Sequence, residues 1–127
     1  MAKLILLVDD DRDFLEQNRG VLESLGYRVA CVTDPQSALD SMARERPDLV
    51  VSDLMMKNLD SGFSLARAIK SRWSATPVIL VTAVASQRGF DFNPHTREDL
   101  SAMNADAFFD KPVDPAALIG KVRELLA

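Results

Sequence analysis

A chain of 127 residues holds one domain with a real core and little more. With 47% hydrophobic and 27% charged residues it reads as an ordinary globular protein, and a formal net charge of −4 argues against a general nucleic-acid binder, which needs a basic face. No apolar run approaches the ~20 residues of a membrane span. The N-terminal apolar run is too short for a signal peptide, and the lone Cys31 excludes an internal disulfide, so the expected compartment is the cytoplasm.

Residues 4–8, LILLV, are apolar without alternation, the pattern of a strand buried on both faces. Phe14, Val21, Leu22 and Leu25 then recur at helical spacing, and Gly26 follows as a C-cap signal. YRVACVT, 27–33, predicts a second strand, in which Cys31 reads as a core thiol. Asp34 and Pro35 form an N-cap and a first-turn proline for a helix carrying Ala38, Leu39 and Met42. PDLVVSD, 47–53, predicts a third strand that ends on a carboxylate. SGFSLARAIKSRW, 61–73, is amphipathic through Phe63, Leu65, Ala66 and Ile69, with Trp73 at its end to cover the core. PVILVTA, 77–83, and DAFFD, 106–110, predict the fourth and fifth strands. Asp114 and Pro115 repeat the cap-and-proline device ahead of a closing helix over 116–127.

The irregular stretch is 84–104. Pro94 and Asn93 confine any helix there to 96–104, with Thr96 as cap and Asp99 three residues on. Phe90 and Phe92 would point the same way from an extended segment. They read as pins holding a long loop to the body, the alternative being an exposed docking patch.

Five alternations of strand and helix predict a doubly wound parallel sheet with helices on both faces. Ligands of such sheets bind at the carboxyl ends of the strands. Asp9 and Asp10 follow the first strand, Asp53 ends the third, Thr82 ends the fourth, and Lys111 follows the fifth. Clustered carboxylates repel one another unless a cation joins them. Oxygen-only ligation favours a hard ion such as Mg²⁺. A carboxylate is also a competent nucleophile toward phosphorus, and a hydroxyl with an ammonium suits the remaining phosphoryl oxygens.

ILLVDDD, DLVVSDLMM, VILVTA and FFDKPVD, in this order and at these spacings, resemble the receiver domain of two-component response regulators along nearly the whole chain. The resemblance implies a five-stranded flavodoxin-like sheet of order 2-1-3-4-5 and a single domain over 1–127. It implies that Asp53 accepts a phosphoryl group from a phosphohistidine of a sensor histidine kinase or phosphotransfer protein. Asp10, Asp53 and the backbone carbonyl of Met55 would hold Mg²⁺, with Asp9 helping partly through water. Thr82 and Lys111 would hold the phosphoryl group, and Ala83 would keep its approach open. Such a protein is a phosphoacceptor with self-dephosphorylation rather than a dedicated enzyme, and it switches a surface for a downstream protein. Asp11 matches no chemical position and reads as part of a helix N-terminus, where an acid suits the macrodipole.

Some residues depart from the family pattern. Lys57 stands where Pro is usual, an extra residue near Ser61 precedes Gly62, and Asn104 replaces a Gly while still tolerating positive φ. The aromatic switch position is Phe108. The stretch 84–104 lengthens the gap between Thr82 and Lys111 and alters the usual dimer face, so a monomer or weak dimer is expected. Apolar Met55 and Val84 flank the water path and imply slow dephosphorylation. His95, the sole histidine, has no ligand partner at a useful spacing and reads as a loop residue.

Other readings are weaker. An aspartate-nucleophile phosphatase needs Thr or Val where Asp13 stands, and a longer chain with a cap. A calcium loop needs Gly where Phe14 stands. The main rival is a receiver fold used as a protein-binding module without phosphorylation. The chain is expected to be either a stand-alone receiver or the receiver part of a longer regulator.

Overall fold

The computed structural model describes residues 2–53, 61–82 and 104–127. Strands β1 (Leu4–Val8), β2 (Arg28–Val32), β3 (Leu49–Asp53), β4 (Val78–Thr82) and β5 (Ala107–Asp110) alternate with helices α1 (Arg12–Ser24), α2 (Pro35–Arg44), α3 (Ser61–Arg72) and α4 (Pro115–Leu126). The sheet is parallel with order β2-β1-β3-β4-β5, as the motifs imply. From β1 the chain pairs first to one side and then to the other. The strand order therefore reverses at β1 and β3, where a crevice opens beyond their carboxyl ends.

Alternate strand residues feed two cores. Leu6, Val8, Val50, Val78 and Leu80 pack with Ala38 and Met42 of α2 and Leu65, Ala66 and Ile69 of α3. Ile5, Leu7, Leu49, Val51, Ile79 and Val81 pack with Leu15 and Leu22 of α1 and Leu118 and Val122 of α4. Burial on both faces explains why β1, β3 and β4 are apolar without alternation. β2 lies at an edge and is only half covered, so Cys31 is half-buried rather than a full core thiol. Burial still pushes its pKa up, which keeps the thiol protonated and unreactive near neutral pH. Trp73 packs, partly buried, against the α2–α3 core.

The helix ends follow their signals. Asp11 caps α1 by accepting from the backbone N–H groups of Asp13 and Phe14. Asp34 and Asp114 cap α2 and α4, each followed by its proline. α1 closes in a Schellman motif. Gly26, at φ +95°, donates to Glu23 O at 3.0 Å, and Tyr27 donates to Leu22 O at 3.3 Å. Leu25 is the correction here: its helical spacing predicts a core residue, yet it is 39% exposed. It is the C-cap, where the chain has already left helical geometry and the side chain has turned off the apolar stripe. Asn104 adopts φ 58° ahead of β5, the left-handed conformation anticipated from its place in the sequence.

Two carboxylates fasten the amino-terminal edge of the sheet. Asp48 Oδ2 accepts from Leu4 N at 2.8 Å. Asp106 Oδ2 accepts from Val78 N and from Lys70 Nζ, both at 2.8 Å.

Gly20 lies exposed inside α1, and an added Cβ there would meet nothing within 4 Å. Gly20→Ala should therefore stabilise the fold by about 1 kcal/mol. Gly26→Ala, equally free of clashes but at positive φ, should destabilise it by about 1 kcal/mol. Urea unfolding of the two variants should give shifts of opposite sign.

Candidate functional site

The site is assembled at the carboxyl edge of the sheet, one residue at a time. Asp9 N donates to Val32 O at 3.1 Å, continuing the β1–β2 ladder one step past Val8. This fixes the Asp9 backbone and turns its side chain into the crevice, where the residue is 0% exposed. Asp9 Oδ1 accepts from Asp11 N at 2.9 Å, and Oδ2 accepts from Lys111 Nζ at 2.8 Å. Asp10, next along, is exposed. Asp53 is the last residue of β3 and is buried. Carboxylate oxygens of Asp9, Asp10 and Asp53 lie within 4.8 Å of one another.

Thr82 ends β4, fully buried, one step beyond Val81, the residue paired with Asp53. Its carbonyl accepts from Lys111 N at 2.8 Å, which locks the start of the β5–α4 connection against the end of β4. From there the Lys111 side chain reaches back across the edge. Its ammonium bonds Asp9 and stands 3.8 Å from Asp53 Oδ2, too far for a hydrogen bond but close enough for strong attraction. The Phe14 ring lies with its centroid 4.6 Å from the same ammonium. Beside it, a groove of about 490 Å³ runs between α1 and the start of α4, lined by Phe14, Asn18, Val21, Lys111, Pro112 and Val113 among others.

The Asp9 carboxyl is held above its usual range. Burial is the main cause and the charge of Asp10 adds to it. The bond from Lys111, the Asp11 N–H and the Lys111 charge pull the other way without prevailing. A buried carboxyl whose pKa is raised, beside two more carboxylates, is a place where a hard divalent cation could bind.

The five residues that the motifs point to, Asp9, Asp10, Asp53, Thr82 and Lys111, thus share one strand edge. Met55, Ala83, Lys57 and Val84, with Phe90, Phe92, His95 and the rest of 84–103, lie outside the described residues. Two features were not anticipated. The resting partner of Lys111 is Asp9, and Phe14, read as a plain core-facing residue, underlies that ammonium. Neither shows in the sequence, because both depend on how α1 and the β5–α4 connection approach each other.

The family profile for the response regulator receiver domain matches residues 5–123. The response regulator MprA of Mycolicibacterium vanbaalenii is 36% identical over 99% of this chain and 51% of its own length. The chain spans about half the length of such curated relatives. A CheY-like receiver domain protein from Methanospirillum hungatei superposes with a TM-score of 0.82 at 26% identity, covering 99% of this chain and 94% of that one. The receiver domain of a signal transduction histidine kinase from Syntrophus aciditrophicus does so with a TM-score of 0.79 at 30% identity, covering 98% and 90%. The chain belongs to the response regulator receiver domain family of two-component signalling. Among the described residues, no helix is long and apolar enough to cross a membrane.

The electrostatics of Asp9 can be checked directly. Its folded pKa exceeds 3.8, so its proton is held more tightly in the folded state. Its contribution to stability is therefore lost as pH rises from about 3.8 through the folded pKa. Carboxyl carbon shifts should show Lys111→Met raising the Asp9 pKa further, because Lys111 lowers it. A fall instead would mean that the pair does not govern Asp9.

Proposed function

We propose that this chain is the phosphoacceptor module of a cytoplasmic two-component pathway. Asp53 takes a phosphoryl group from the phosphohistidine of a sensor histidine kinase or phosphotransfer protein. The observation that carries this reading is the convergence of three carboxylates and one shared ammonium at the switch point of a receiver fold.

In the transfer, an Asp53 carboxylate oxygen forms the new bond to phosphorus. The phosphorus–nitrogen bond to the donor imidazole breaks, and its electron pair leaves with the ring. Lys111 and the Thr82 hydroxyl meet the phosphoryl oxygens. Asp10 and Asp53 would hold Mg²⁺, with the Met55 carbonyl and, partly through water, Asp9. The ion would neutralise charge that builds on the phosphoryl oxygens. Positive charge supplied there would also compete for Asp9 and loosen its hold on Lys111, which would swing only from Asp9 toward Asp53 to take up the new role. Ala83 keeps the approach open. The switched surface then meets a downstream protein, tethered in the same polypeptide or separate. The half-length match to MprA favours a receiver that is part of a longer regulator.

Asp53→Asn should abolish uptake of phosphate from acetyl phosphate and of beryllofluoride, read as a mass shift and by fluorine NMR. Labelling that persists in Asp53→Asn, but is lost on mutating another Asp, would move the acceptor elsewhere. A wild type that never labels would favour the protein-binding module that works without phosphate. Asp10→Ala should weaken Mg²⁺ binding at least tenfold by calorimetry, since charge-charge terms at such separations amount to a few kcal/mol, order of magnitude about 2. Equal affinity in variant and wild type would remove Asp10 from the metal site.

A further inference from the structure

Phe14 has no part in the phosphoryl chemistry outlined above, yet both its backbone N–H and its carbonyl are held by side chains. Its N–H donates to the Asp11 cap at 3.3 Å, and its carbonyl accepts from the side chain of the buried Asn18 at 2.8 Å. The side chain packs, partly buried, on the α1–α4 core and places its ring 4.6 Å from Lys111 Nζ. The ammonium therefore lies among three groups: Asp9 at 2.8 Å, Asp53 at 3.8 Å and the ring. Only 19% of the Lys111 side chain remains open to water.

A ring differs from the carboxylates in one way that matters. It attracts a cation through its π face but accepts no strong directional hydrogen bond, so it leaves the N–H donors free for an incoming oxyanion. The space around it matters too. Lys111 and Phe14 line the same groove of about 490 Å³. Without the ring, an ammonium released by Asp9 could turn into that groove and be lost to solvent.

We propose that Phe14 is a positioning residue for Lys111, keeping its ammonium at the strand edge during the passage from Asp9 to the phosphoryl group on Asp53. This rests on the phosphoacceptor reading. The ring acts when Lys111 leaves Asp9, and its effect falls on the rate of Asp53 phosphorylation.

The test uses acetyl phosphate as donor at saturating Mg²⁺. Phe14→Leu, which keeps an apolar side chain, should slow phosphorylation of Asp53 about threefold to tenfold. Phe14→Tyr, which keeps the ring, should restore the rate to within about twofold of wild type. In a Lys111→Met background, Phe14→Leu should bring no further loss, since the ring would have no ammonium to hold. Proton NMR of the free protein adds an arm that needs no phosphorylation: the Lys111 ε-methylene protons should be shifted upfield in wild type and in Phe14→Tyr, and not in Phe14→Leu. Equal rates in wild type and Phe14→Leu, no rescue by Phe14→Tyr, or an undiminished loss in the Lys111→Met background would overturn the proposal and leave Phe14 a packing residue. A wild type that takes no phosphate on Asp53 would instead overturn the phosphoacceptor reading, with the ring contact still decided by the NMR arm.

Discussion

A carboxylate sealed from water at the end of a strand needs a cation, and Lys111 supplies it to Asp9. The 2.8 Å contact joins residues 102 positions apart in the chain. It draws the β5–α4 connection over the site and sets the ammonium between Asp9 and Asp53. Among the described residues, one ammonium against three carboxylates leaves a surplus of negative charge. Burial magnifies it, because the Asp9 charge is poorly solvated. The cluster of Asp9, Asp10 and Asp53 at this edge is one that could hold a metal ion.

The two ends of the sheet treat the same residue type in opposite ways. A parallel sheet presents free N–H groups at its amino edge and free carbonyls at its carboxyl edge. Asp48 and Asp106 sit at the amino edge and are satisfied by peptide N–H donors from Leu4 and Val78. Asp53 sits at the carboxyl edge, where its Oδ2 lies 3.8 Å from the Lys111 ammonium. Carboxylates at the amino edge therefore fasten the fold. Those at the carboxyl edge gather round the Lys111 ammonium, at the end of the sheet where ligands bind.

Aromatic rings flank this edge from opposite faces of the sheet. Phe14 lies on the α1–α4 side against Lys111. Phe108, paired in register with Leu80, packs partly buried on the α2–α3 side. Thr82 and Lys111 are tied through the backbone between them.

The order of strands and helices, three helix caps and the doubly buried sheet were legible in the sequence. Each depends on local chemistry or on a periodicity that a linear string preserves: Asp before Pro at α2 and α4, an unbroken apolar run at β1, Gly26 past the end of α1. The acidic and basic positions of the site were legible for a related reason, since strand ends can be located from the pattern and the fold sends them to one edge. Leu25 was misjudged because spacing alone does not show the residue at which a helix stops. The pairing of Lys111 with Asp9, the ring beneath it and the opposite duties of the two sets of carboxylates were decided only by the tertiary structure. They follow from which helix packs on which face, and from how far one side chain reaches across the edge. Those are distances between segments remote in the chain, and sequence spacing does not encode them.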